Sequence, residues 1–67
     1  MTFALMLCTL VAGTPAECDA VPLDTLAECR ALLANQGSLA DGAWHGTGSV
    51  RQRRFCAVRR PTWEEVR

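Results

Sequence analysis

Four cysteines and one histidine are the side chains that could do covalent or metal chemistry in this 67-residue chain: Cys8, Cys18, Cys29, Cys56 and His45. No two cysteines form the close pair that a structural zinc site normally uses. A catalytic thiol needs a base, and His45 is separated in sequence from every cysteine. No carboxylate pair, catalytic triad or nucleotide-binding motif is present either. We therefore predict a protein that is not an enzyme, with no catalytic residues, no metal and no cofactor.

The cysteines can instead be structural. Folding the chain back about Gly13 places Cys8 opposite Cys18 in a hairpin. A helix that carries Cys29 on its apolar side could meet Cys56 on a later strand. These placements predict disulfides Cys8–Cys18 and Cys29–Cys56. In a reducing compartment the same four residues would be small buried apolar side chains, and this alternative stays open.

The apolar run at residues 3–13 has two interpretations. It could be a secretory signal cleaved after Ala16, or the first strand of the domain. The segment before the run is Met1-Thr2, which lacks the positive charge that signal peptides carry. The intact chain also has an even number of cysteines, and a chain this short needs most of its apolar residues for a core. We therefore favour the strand.

The remaining pattern predicts one small domain. A hairpin over 2–23 is followed by a helix over 25–36, in which Thr25 and Glu28 have the spacing of a capping box. A glycine-rich loop over 37–49 leads to a strand over 50–60 and a short helical turn over 61–67. The predicted fold class is α+β: a β-β-α-β unit with one helix packed on a three-stranded, mainly antiparallel sheet.

Charge is balanced in number but not in position. Seven arginines oppose seven acidic residues, with acids frequent before residue 42 and arginines crowded over 51–60. The molecule is dipolar if these regions face apart. The arginine stretch could contact an acidic protein surface, or phosphates with Phe55 stacking on a base. Trp44 could anchor a partner or fold back over the core. The predicted partner-binding residues are Trp44, His45, Arg53, Arg54, Arg59 and Arg60.

The segments "TLAECRALL" and "RRFCAV", with the apolar stretch that ends at Cys8 and a second cysteine at Cys18, carry a resemblance. The chain resembles a loose family of very short, four-cysteine proteins encoded by phages and prophages. The resemblance implies a non-enzymatic protein that acts by binding in the cytoplasm of the bacterial host. Its expected action is inhibition of a host protein complex with an acidic surface, such as a CRISPR-type antiviral effector.

Other functions stay open beside this one. A secreted or periplasmic disulfide microprotein would begin after Ala16. A small nucleic-acid binder would use the arginine-rich strand, with affinity that falls as salt rises. We predict no membrane contact and no small-molecule substrate. An edge strand in so small a sheet could also form a homodimer.

Overall fold

The computed structural model describes residues 2–66 and confirms the α+β class. Its sheet has four antiparallel strands in the order β2-β1-β3-β4, rather than the three predicted. One α-helix and one 3₁₀ helix complete the described chain. The elements are β1 (Phe3–Val11), β2 (Glu17–Leu23), α1 (Leu26–Ala34), the 3₁₀ helix (Gly37–Asp41), β3 (Val50–Arg59) and β4 (Trp63–Glu65).

Strand β1 lies inside the sheet, between β2 and β3. Its sequence, FALMLCTLV, is almost continuously apolar, which is typical of a strand buried on both faces. Because successive side chains point to opposite faces, Ala4 and Met6 lie on one side while Leu5 and Leu7 lie on the other. Ala4, Leu5, Met6 and Cys8 make up four of the eight buried apolar residues in the described chain.

The hairpin of β1 and β2 has the predicted register, with Cys8 opposite Cys18 and Phe3 opposite Leu23. Gly13 has the positive φ of +85° that the turn requires, a conformation that costs glycine little. The Thr14 hydroxyl donates a hydrogen bond to the Val11 carbonyl and closes the turn. Both predicted disulfides are formed: Cys8–Cys18 links β1 to β2, and Cys29–Cys56 links α1 to β3.

Helix α1 begins after Thr25, whose hydroxyl oxygen accepts the backbone N–H of Glu28 at 3.1 Å. In turn, the Glu28 carboxylate accepts a hydrogen bond from the Thr25 hydroxyl. The Thr25 half of the predicted capping box is therefore formed, whereas the Glu28 carboxylate contacts the Thr25 hydroxyl in place of its backbone N–H. The helix ends at Ala34, two residues before the predicted end. Asn35 is its C-cap: the backbone N–H of Asn35 donates to the Leu32 carbonyl at 3.1 Å, and the N–H of Gln36 donates to the Leu33 carbonyl at 3.0 Å.

The predicted helical turn over 61–67 is wrong for the part that the structure describes. Residues Trp63–Glu65 form strand β4, in which Trp63 pairs with Arg59 and Glu65 pairs with Ala57. Two interactions favour a strand there: the outer edge of β3 supplies main-chain partners, and the Trp63 side chain packs against the buried cluster of Ala4, Met6, Cys8 and Ala57. The end of the predicted turn, Arg67, lies outside the described residues.

The predicted glycine-rich loop over 37–49 is more ordered than expected. It begins with the 3₁₀ helix, and His45 then forms an isolated bridge with Gln52, with N···O distances of 2.8 and 2.7 Å. A Cβ atom at Gly46 would collide with the Val50 carbonyl, so glycine is needed for this close approach. The segment therefore runs along part of the outer edge of β3.

The core consists of two clusters, one on each face of the sheet. On the first face α1 covers Leu5 and Cys56, and Cys29 is fully buried between them. On the second face the buried residues all come from strands. So small a core gains from cross-links, since domains of this size bury too little apolar surface to be very stable.

The central position of β1 gives a first prediction. A chain that starts at Glu17 lacks the strand to which both β2 and β3 bond, and we expect it to be unfolded. Circular dichroism and the dispersion of amide proton shifts would measure this. The full chain with Cys8→Ala and Cys18→Ala is the control, because it loses the same disulfide but keeps β1, and we expect it to stay folded. A dispersed, native-like spectrum from the shortened chain would contradict the fold described above.

Candidate interaction surface

In the part of the chain that the structure describes, the buried cluster on the face opposite α1 is formed by strand residues, and no helical residue packs against it. Because side chains alternate along a strand, the odd-numbered residues of β3 project to the same side as Ala57. Their partners on β4, Trp63 and Glu65, project to this side as well. The result is a surface that combines positive charge with two aromatic rings. We call it the arginine face, and it consists of Arg51, Arg53, Phe55, Arg59, Trp63 and Glu65.

The two aromatic side chains lie beneath two of the arginines. Phe55 and Trp63 are half-buried and pack against the cluster that contains Ala4 and Ala57. The Cζ atom of Arg53 lies 4.3 Å from the centroid of the Phe55 ring, within the range of a cation–π contact. The Cζ atom of Arg59 is farther from the Trp63 centroid, at 5.9 Å. The arginine face therefore presents guanidinium groups above a partly apolar layer.

Arg53 is held in place by three neighbours. Its guanidinium forms an ion pair with Glu65 on β4, donates a hydrogen bond from Nε to the Gly42 carbonyl, and covers Phe55. These contacts tie β3 to β4 and to the segment that follows the 3₁₀ helix. Arg53 is thus chiefly a structural residue, although it lies on the candidate surface.

Arg54 projects from the opposite face, in phase with Cys56. Its guanidinium donates a hydrogen bond to the side-chain carbonyl of Gln36, just after α1. Arg53 and Arg54 are adjacent in sequence, but the structure does not bring them together as one binding group. This separation follows directly from the alternation of side chains along a strand.

Arg51, Arg59 and Arg60 are exposed, and within residues 2–66 none of them forms an ion pair. Arg59 and Arg60 are among the residues predicted from sequence, whereas Arg51 and Trp63 are additions from the structure. The alternating pattern of β3 could have grouped Arg51 with Arg53. Trp63 could not be found in this way, because its segment was predicted to be helical.

Trp44 and His45 lie beside the start of β3, at the end of the strand opposite to Arg59. Trp44 is 38% exposed and belongs to neither buried cluster, so it does not fold back over the core. His45 pairs with Gln52, seven residues from Arg59, which corresponds to about 24 Å along a strand. The six residues predicted from sequence are therefore spread over both ends and both faces of the sheet.

His45 is paired with a carboxylate. Its Nε2 atom lies 2.8 and 3.0 Å from the two oxygens of Asp41. The pKa of Asp41 is lowered, first because the backbone N–H of Ala43 donates to its carboxylate and then because of the His45 contact. All four cysteines are in disulfides, so this pair has no thiol to activate.

The acidic and basic regions of the chain lie on different strands. Glu17 and Asp19 belong to β2 at one edge, and β1 separates them from the arginines of β3. With strands about 4.8 Å apart, β2 and β3 are separated by roughly 10 Å. Among the described residues no ion pair joins the β2 acids to these arginines. Of the two arrangements that the sequence left open, pairing or separation, the structure shows the acids of β2 separated from the arginines of β3.

A groove of about 450 Å³ lies beside the arginine face. The charged groups in its wall are already paired, Arg53 with Glu65 and Asp41 with His45. Within residues 2–66, no three His, Cys, Asp or Glu side chains come together to hold a metal ion. The residues that line the groove include Leu33, Asp41, Arg53, Phe55, Glu65 and Val66.

Comparison with family models, with curated proteins and with solved structures found no match to this chain. Neither helix of the described chain has the length and apolar character needed to cross a membrane. The geometry of the arginine face is therefore the basis for a proposed function.

The different surroundings of two arginines give a second prediction. Arg53→Ala removes an ion pair, a hydrogen bond and a cation–π contact, so we expect it to lower the free energy of unfolding by about 1 to 2 kcal/mol. Arg51→Ala is the matched control on the same face, and its effect should stay within about 0.5 kcal/mol. Urea denaturation would measure both variants. Equal losses would show that the contacts of Arg53 do not stabilise the sheet.

Proposed function

We propose that this protein is a small, non-enzymatic binding factor whose arginine face contacts an acidic surface of a partner protein. The observation that carries the proposal is the composition of that face. It has three arginines, and its one described acid, Glu65, is already paired with Arg53. Arg51 and Arg59 remain exposed toward solvent, where carboxylates of a partner could reach them.

The size and composition of the arginine face support a protein partner. Arg51 and Arg59 are eight residues apart on one strand, about 27 Å. This span is close to the width of a standard protein interface, which covers about 800 Å² on each partner. Arginine and tryptophan are also enriched among the residues that contribute most to interface affinity. Arg59 above Trp63 provides this combination at one end of the face.

A single-stranded nucleic acid is the second candidate ligand, because aromatic rings and arginines on an open sheet can hold stacked bases. The position of Arg53 argues against it. The guanidinium of Arg53 covers Phe55 and is fixed by Glu65, so a base could stack on that side of the ring only by displacing a paired charge. A protein surface needs no such displacement.

The narrower proposal is that the partner is a host complex in the bacterial cytoplasm, such as a CRISPR-type effector, which the protein inhibits. It rests on the sequence resemblance alone. Two disulfides fit an oxidising compartment better. In a reducing cytoplasm Cys29 and Cys56 would remain packed in the core as small apolar residues. The alternative of a microprotein cleaved after Ala16 would lose β1.

The test compares two anionic probes by fluorescence anisotropy: an acidic peptide rich in Asp and Glu, and an oligothymidine with the same number of negative charges. We expect the peptide to bind more tightly. Arg59→Glu should weaken its binding by about fivefold or more, since it replaces an attraction with a repulsion. Arg30→Glu, the same change at an exposed position of α1, is the matched control and should have little effect.

Three outcomes would contradict the proposal. Equal effects of Arg59→Glu and Arg30→Glu would show attraction to net charge alone. Tighter binding of the oligothymidine would favour the nucleic-acid function. Absence of binding to either probe would remove the arginine face as an anion-binding surface.

A further inference from the structure

We propose that the outer edge of β2 docks a basic, extended segment of a partner protein by β-strand addition. This site lies across the sheet from β3 and is separate from the arginine face. It is defined by the directions of the main-chain hydrogen-bonding groups, by the exposure of β2 and by the charges along it.

The hydrogen bonds fix the direction of each main-chain group. In an antiparallel ladder a residue directs its N–H and C=O to one neighbouring strand, and the next residue directs both to the other side. The N–H of Arg59 donates to the Thr2 carbonyl, so odd-numbered residues of β3 bond to even-numbered residues of β1. The even-numbered residue Gln52 has the opposite direction, as this pattern requires: its N–H donates to the His45 carbonyl, and its carbonyl accepts the His45 N–H, on the side of β3 away from β1. Odd-numbered residues of β1 must then bond to β2.

The same alternation continues into β2. Asp19 and Val21 pair with Leu7 and Leu5 and direct their main-chain groups inward. Cys18 and Ala20 therefore direct both N–H and C=O away from the sheet. Pro22 has this outward phase as well, which explains why a residue without an N–H is tolerated there.

Strand β2 is the long open edge of the sheet. No described strand pairs with its outer side, and its residues from Glu17 to Pro22 are all exposed. The opposite edge is less available, because β4 has three residues and His45 occupies part of β3. Natural proteins usually protect an edge of this length, and β2 carries Pro22 near one end and the charges of Glu17 and Asp19, which disfavour pairing with a strand that has no basic residue. A partner strand could bond to Cys18 and Ala20.

The side chains along β2 indicate which strand would fit. Glu17 and Asp19 project on the same side two residues apart, and within the described chain neither forms an ion pair. Val21 follows them in the same row and is 39% exposed. Opposite charges directly across two strands stabilise their pairing. The complementary segment would therefore carry two Lys or Arg residues at alternate positions, next to an apolar residue.

A second copy of this chain fits the edge less well. Two β2 strands paired about Ala20 would bring the two Asp19 carboxylates near each other diagonally, with no basic residue in either strand to neutralise them. The arginines of the chain lie mainly on β3, which is an inner strand. Charge complementarity thus favours a separate basic partner over the edge-strand homodimer.

The experiment uses the intact protein and a short extended peptide with alternating Lys and Val residues. Hydrogen exchange measured by NMR would report each amide. We expect the peptide to slow exchange at Cys18 and Ala20 by about tenfold or more at saturation. Ala20→Pro removes an outward donor at a position in the same phase as Pro22, and it should weaken binding by about tenfold.

A second variant keeps the test valid if Ala20→Pro perturbs the fold. Glu17→Gln should weaken binding by about threefold, whereas Glu64→Gln on β4 is the matched control and should not. Arg59→Glu should leave this binding intact, which separates it from the proposed function of the arginine face.

The proposal fails if the peptide leaves exchange at Cys18 and Ala20 unchanged, or if a Glu-Val peptide protects them equally. It also fails if these amides are already protected in a dimer without peptide.

Discussion

Burial of both faces of β1 is the constraint on which the structure depends. Among the strands within residues 2–66, β1 is the one apolar enough to be covered on both sides, and β2, β3 and α1 pack around it. Helix α1 covers the Leu5 side, while Phe55 and Trp63 cover much of the Ala4 side. The disulfides reinforce the same centre, since one links β1 to β2 and the other links the helix to β3.

The two sides of β1 are covered in different ways, and this difference creates the candidate surfaces. Helix α1 buries one face of the sheet. The other face is covered by side chains of the strands themselves, where Arg53 and Arg59 lie above the rings of Phe55 and Trp63. Because β1 occupies the centre, the acidic strand β2 is forced to one edge and the arginine-rich strand β3 to the other side. The charge asymmetry is thus a consequence of strand order, and the two proposed binding surfaces have opposite charge.

Local signals in the sequence predicted the local structure well. The symmetry about Gly13 determined the hairpin register and the Cys8–Cys18 pairing, and Thr25 with Glu28 located the start of the helix. Strand β4 was missed because its Thr-Trp-Glu-Glu sequence has the local pattern of a helix start. Its pairing with β3 and the packing of Trp63 are tertiary interactions that local patterns do not record.

The residues of the candidate site could likewise be predicted only in part from the sequence. Arg59 and Arg60 could be proposed from their position in a charged run, but the run does not show which arginines the fold already uses. Arg53 is held by Glu65 and Arg54 by Gln36, and both partners depend on elements distant in sequence. Only the placement of β4 and the end of α1 distinguishes these bound arginines from the exposed ones.

Native-state hydrogen exchange of the intact protein tests the central position of β1 most directly. If β1 is the inner strand, the amides of Leu5, Met6 and Leu7 should be among the slowest to exchange, together with that of Ala57. Their exchange should require global unfolding of the protein. Exchange in β1 at the rate of an unstructured peptide, while β3 remains protected, would contradict the account. It would show that the N-terminal segment is not part of the folded sheet.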